Sequence, residues 1–143
     1  MRHLLVAGLA WLVAQSLKHA FRLFGRNRRV FQQNPIAPLL VSGGMPSGHS
    51  AVVTALAISV GAAEGWSGAA FAVAVVVAVI VMYDAMMVRL SSGKQGEALN
   101  ELIRRSYPEM RQVKIAHGHT SVEVLAGALI GAVIAVVVIF ATK

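Results

Sequence analysis

Four apolar segments, each close to the length that crosses a bilayer, constrain this chain more than any other feature. They span about residues 4–24, 46–63, 66–88 and 119–142. At about 1.5 Å per residue, some 20 helical residues cover a hydrocarbon core of about 30 Å, and the second segment is the shortest. Valine and isoleucine crowd residues 72–81 and 133–139, which would favour strands in water. In lipid every backbone polar group must be satisfied within the segment, so helix is expected instead. Of the 143 residues, 57% are hydrophobic and 13% are charged. A soluble domain of this size has too little interior to hide so much apolar surface. The expected fold is therefore all-α, an integral membrane bundle of about four transmembrane helices in a single domain, 1–143. Arg2-His3 followed by an apolar run resembles a signal peptide. The absence of a small-x-small site, and the continuation of the helical pattern through Gln15, Lys18 and Arg22, make it the first helix.

The connections carry the charge. Thirteen Lys and Arg against six Asp and Glu give a net charge of +7. These cations gather in residues 25–45 (Arg26, Arg28, Arg29) and 89–118 (Arg89, Lys94, Arg104, Arg105, Arg111, Lys114). Such clusters between apolar runs suit anionic headgroups rather than nucleic acid. Counting crossings puts both loops on one side. The Glu64-Gly65 hairpin and both termini fall on the other, with only Arg2 and Lys143 as cations. The positive-inside bias makes the loop side cytoplasmic. Within the second loop, residues 96–106 read as an interfacial helix with Leu99, Leu102 and Ile103 on one face, ended by Tyr107-Pro108.

Two polar clusters interrupt the apolar pattern on that side. The first is Gly43-Gly44-Met45-Pro46-Ser47-Gly48-His49-Ser50. With Pro46 in the first turn of a helix, the N–H groups of Ser47, Gly48 and His49 would face an anion, and Gly48 would let a phosphate come close. The plainer alternative is an ordinary turn between helices. The second cluster is His117-Gly118-His119-Thr120-Ser121-Val122-Glu123. His119 and Glu123 lie four apart at a helix start, so the carboxylate can hold one ring nitrogen and leave the other a lone pair for attack. The alternative is a carboxylate complementing the helix dipole beside a solvated histidine. Lys18, flanked at helical spacing by Gln15 and Arg22, either faces a polar interior or snorkels. Arg89, just beyond Asp84, is a second cation at the same level. The acids are too scattered for two-metal chemistry, and there is no cysteine for a thiolate site. Phosphoryl transfer without metal or cofactor is the chemistry these residues suit.

Three blocks in order resemble the divergent branch of the type 2 phosphatidic acid phosphatase superfamily, related to vanadium haloperoxidases. They are Gly43–Ala51; Val81–Ala85 with Val88-Arg89, Gly93, Gln95 and Leu99-Asn100; and Gly118–Thr120 with Glu123-Val124 and Gly127. The resemblance implies hydrolysis of a lipid phosphomonoester or diphosphate through a phosphohistidine. His119 would be the nucleophile, His49 the acid that protonates the leaving alkoxide, and Glu123 the orienting carboxylate. Lys18 would match the lysine of the first motif, and Arg89 would supply a phosphate-binding arginine. Ser47 and Gly48 would line the phosphate hole, with Asp84 and Arg22 in support. Two features depart from the common pattern. Gly25 stands where an Arg-Pro usually begins, with Arg26 one position off, and Lys114-Ile115 replaces the usual Ser-Arg before the nucleophile. His117 is a rival nucleophile. The resemblance points to a lipid phosphate (phosphatidylglycerol phosphate, phosphatidic acid or a polyprenyl diphosphate), processed at the cytoplasmic face of a bacterial inner membrane or its equivalent. A non-catalytic lipid-phosphate binding or transport protein is the alternative. Four crossings are fewer than the six common in the superfamily. A homodimer could complete the walls, joined through the Gly127/Gly131 face.

Overall fold

The computed structural model describes residues 1–24, 44–113, 115 and 118–142, and the side chains of these apart from 22–24. The side chain of Arg22, the arginines at 26, 28 and 29, and Lys114 and His117 lie outside the described residues. Four helical elements make a membrane bundle, with no strand among the described residues. They are α1 (Arg2–Phe24), α2 (Gly48–Glu64), α3 (Ala69–Ser106) and α4 (Ser121–Ala141). Three of them, α1, α3 and α4, are long and apolar enough to cross a membrane. The 17 residues of α2 reach about 26 Å, slightly short of a hydrocarbon core. This helix sits in the middle of the bundle and packs against the other three.

Small residues line the contacts. In α1, Val6, Ala10, Ala14 and Lys18 recur every four residues and are buried, while Leu5, Leu9, Leu12, Leu17 and Phe21 face outward. In α4 the buried stripe is Val124, Gly127, Gly131 and Ala135. Lipid tails solvate a leucine as well as another leucine does, so association depends on close backbone approach rather than on apolar burial. Gly127 and Gly131 show how close that approach is. A Cβ on Gly127 would stand 2.2 Å from the Ser47 carbonyl oxygen, and one on Gly131 2.2 Å from that of Ala51. The glycine face expected to join two copies is therefore occupied within one chain, by α2.

The third helix also departs from expectation. Instead of ending at 88, it continues as one rod of 38 residues to Ser106, about 57 Å. It comprises an α-helix over Ala69–Tyr83, a π-turn over Asp84–Val88 and a second α-helix over Arg89–Ser106. Residues 96–106 are helical but form no separate element. The apolar pattern stops at Val88, but the helix has no reason to stop there, since no proline follows before Pro108. Ile103 is buried, Leu99 and Leu102 are exposed, and Glu101 pairs with both Arg104 and Arg105.

The end of the bundle away from the π-turn is closed by polar contacts. His3 Nδ1 lies 2.8 Å from the buried Ser59 hydroxyl, and its Nε2 lies 3.7 Å from Glu64. Arg2 donates to the Ile139 carbonyl at 3.4 Å. The hairpin turns at Gly65, whose φ of 97° suits glycine.

Candidate active site

Three helix termini and the π-turn assemble the polar site at the other end. Ser47 is the N-cap of α2, and its hydroxyl accepts from Ser50 N–H at 3.4 Å and from the Ser50 hydroxyl at 2.9 Å. The Ser47 N–H donates to the Glu123 carbonyl at 3.0 Å. Two corrections follow. Pro46 precedes the cap instead of opening the helix, because the serine side chain, not the proline, terminates it. The Ser47 N–H fastens α2 to α4 and does not face an open hole, while its hydroxyl caps α2 by accepting from Ser50. The flank of Gly48 where a Cβ would project is also filled, by Trp11 Cδ1 at 3.6 Å and Gln15 Oε1 at 3.8 Å. Gly48 and His49 supply first-turn N–H groups that no carbonyl of the helix can reach, and the His49 side chain is exposed.

His119 stands one residue before the N-cap of α4 and is only 6% exposed. Its Nδ1 lies 3.0 Å from Glu123 Oε2. The same oxygen accepts from Thr120 N–H at 3.1 Å, while the Thr120 hydroxyl accepts from Glu123 N–H at 3.3 Å. This reciprocal pair is a capping box, which locks the carboxylate as it satisfies the helix start. Glu123 thus combines parts of both sequence alternatives: it caps the helix and also bonds the histidine, which is buried rather than solvated. An ionised carboxylate can only accept, so Nδ1 is the donor, and in the neutral ring the lone pair then lies on Nε2.

The backbone of His119 is fixed by a feature that the sequence does not reveal. In the π-turn, Arg89 N–H bonds to the Asp84 carbonyl instead of that of Ala85. The Ala85 carbonyl, in a residue 1% exposed, instead accepts from His119 N–H at 2.9 Å. The wider turn also stacks Arg89 over Asp84, and their side chains pair at 3.3 Å. π-Turns leave no periodic signature among apolar residues, so only the coordinates expose this one. Thr120-x-x-Glu123, by contrast, is legible as a helix start.

Lys18 projects from α1 into the bundle and is 7% exposed, which decides against snorkelling. The charges of Arg89, Lys18 and Asp84, together with the His119 ring, all act on the His49 imidazole. The His119–Glu123 pair, the Arg89–Asp84 pair and Lys18, carried with His49 by four helices, thus lie within electrostatic reach of the His49 ring or pair with a group that does. Among the described residues, no three His, Asp or Glu side chains gather as a metal site would require.

A buried histidine–carboxylate pair beside a second histidine and two cations, at one end of an all-helical bundle, defines an integral membrane protein with a built polar site. The chain belongs to the divergent PAP2 family, whose model matches residues 1–134. It is also similar to the uncharacterized membrane protein YuiD of Bacillus subtilis (strain 168). The two are 34% identical over 114 residues, which cover 69% of this chain and 72% of that protein. No solved structure matches the chain.

Proposed function

We propose that this protein is a metal-independent phosphatase of lipid phosphomonoesters or diphosphates, acting at the cytoplasmic face of the membrane through a phosphohistidine. The observation that carries this reading is the double tether of His119. Glu123 holds Nδ1 at 3.0 Å and Ala85 holds the backbone N–H at 2.9 Å, with a second histidine in the same electrostatic neighbourhood. A histidine held at both its ring and its backbone presents Nε2 in one direction, as a nucleophile must.

In the first step His119 Nε2 attacks phosphorus, and the bond from phosphorus to the lipid oxygen breaks. Protonated His49 gives its proton to that oxygen, releasing a neutral alcohol or, from a diphosphate, a lipid monophosphate. Neutral His49 then takes a proton from water as the water oxygen attacks the phosphohistidine. Inorganic phosphate leaves, and both histidines return to their starting states. Lys18, Arg89 and the first-turn N–H groups of Gly48 and His49 stabilise the charge on the equatorial oxygens. Asp84 holds Arg89 in place through their ion pair. Substrates that fit this chemistry include phosphatidylglycerol phosphate, phosphatidic acid and polyprenyl diphosphates.

The test is phosphate release by the purified protein from a panel of lipid phosphates. Turnover should survive EDTA and be inhibited by vanadate. It should vanish in His119→Ala and His49→Ala. Full activity in both variants would refute the mechanism, and loss of turnover in EDTA would replace it with a metal enzyme. Binding of lipid phosphate without turnover would favour a carrier.

A further inference from the structure

We infer that Asn100 is a positioning residue for His119, the clamp by which the outer half of α3 holds the chain that leads to the nucleophile. Its catalytic consequence rests on the reading of His119 given above. The described residues between Ser106 and Ser121 form no helix or strand of their own, yet a ring displaced by about 1 Å can lower a rate about a hundredfold. The contacts that hold this stretch run along α3 in reverse order. Asn100 Nδ2 donates to the Val113 carbonyl at 3.0 Å, and Val113 N–H donates to Asn100 Oδ1 at 2.8 Å. Next, Gly96 abuts Ile115, where an added Cβ would come within 3.2 Å of Cγ1. Gly118 then lies against Leu90, where a Cβ would come within 2.7 Å of the backbone nitrogen. Last, His119 N–H reaches the Ala85 carbonyl at 2.9 Å.

Asn100 is the polar clasp at the far end of this series. Its planar amide offers a donor and an acceptor together, so it pairs both backbone groups of Val113 as a neighbouring strand would. Neither Asp nor a hydroxyl side chain presents that combination in the same plane. The anchors Ala85 and Asn100 are fifteen residues apart on α3, about 22 Å. The six residue steps from Val113 to His119 reach at most about 22 Å. Val113 and His119 are thus fastened to α3 at the two ends of a short span. The clasp lies about four helical turns along α3 from Ala85, which holds His119, so it acts through the backbone it holds.

The test uses full-length Asn100→Ala and Asn100→Asp proteins with two measurements. The first is the rate at which diethyl pyrocarbonate labels each histidine, read by mass spectrometry, with His3 at the opposite end of the bundle as internal reference. The second is kcat and KM on whichever lipid phosphate the unaltered protein hydrolyses. His119 should label about tenfold faster while His3 is unchanged, and kcat should fall about tenfold or more with KM within about twofold. Asn100→Asp, which keeps the acceptor for Val113 N–H, should lie between. Equal acceleration at His3 and His119 would mean general loosening and would overturn the assignment, as would unchanged labelling of His119. Faster labelling with unchanged kcat would overturn the catalytic part. If the unaltered protein hydrolyses no lipid phosphate, the phosphatase reading falls, and the labelling arm still decides the clamp.

Discussion

Gly127→Ala adds one carbon at a close backbone crossing of α4 over α2. Its Cβ would stand 2.2 Å from the Ser47 carbonyl oxygen, 3.0 Å from the carbonyl carbon and 3.1 Å from the nitrogen. Carbon–oxygen contacts in proteins settle near 3.3–3.6 Å, so α4 must back away from α2 by about 1 Å. No flexible side chain can yield in its place, because every crowded atom is backbone. Overpacking of this kind costs about 1–3 kcal/mol. The same shift stretches the 3.0 Å bond from Ser47 N–H to the Glu123 carbonyl, adding about 1 kcal/mol. The expected loss of stability is about 2–4 kcal/mol, read from denaturant unfolding in mixed micelles. Because α4 carries Glu123 and α2 carries His49, a shift of about 1 Å should also lower phosphate release about a hundredfold. Gly8→Ala is the control, since nothing lies within 4 Å of its added carbon. If Gly127→Ala proved as stable and active as Gly8→Ala, the two helices would not cross as described, and the site built on their contact would be wrong.

Glu123→Gln keeps an acceptor for His119 Nδ1 but removes the charge, and should lower kcat about 10–100-fold as loss of such orienting partners does; full activity would separate the carboxylate from the chemistry. Arg89→Gln removes a cation and should weaken vanadate inhibition about tenfold or more, in line with a charged hydrogen bond of about 1.5–3 kcal/mol; an unchanged inhibition constant would remove Arg89 from the phosphate site. His117→Ala and His3→Ala should both leave phosphate release intact, and a dead His117→Ala would make that residue the nucleophile. The chain has no cysteine, so single cysteines at Ser92 and Glu64 give a clean topology test. Impermeant reagent should label Ser92→Cys only from the cytoplasmic side and Glu64→Cys only from the opposite one, and labelling of both from one side would contradict the proposed orientation.

The membrane class, the four apolar segments and the pairing of His119 with Glu123 could be read from residue order alone. Each depends on local periodicity: about 20 apolar residues in a row, or two polar groups four apart on a helix. Thr120 and Glu123 likewise announce a helix start within four residues. The extent of α3 was not legible, because the polarity that marks the bilayer edge at Arg89 says nothing about whether the helix goes on. The fate of Gly127 and Gly131 was equally hidden. A small-residue stripe states that some backbone will come near, and only the packing shows that it belongs to α2 of the same chain. Ser47 illustrates the same limit, since its N–H looked available until the Glu123 carbonyl was seen to occupy it. The π-turn lies furthest from anything local. A one-residue change in hydrogen-bond register at Asp84 exposes the Ala85 carbonyl, and that carbonyl acquires meaning only when His119, 34 positions later, arrives to use it. Local order thus determined the solvent and the polar groups of the site, whereas long-range contact decided which backbone groups were still unoccupied and how the His119 ring is held.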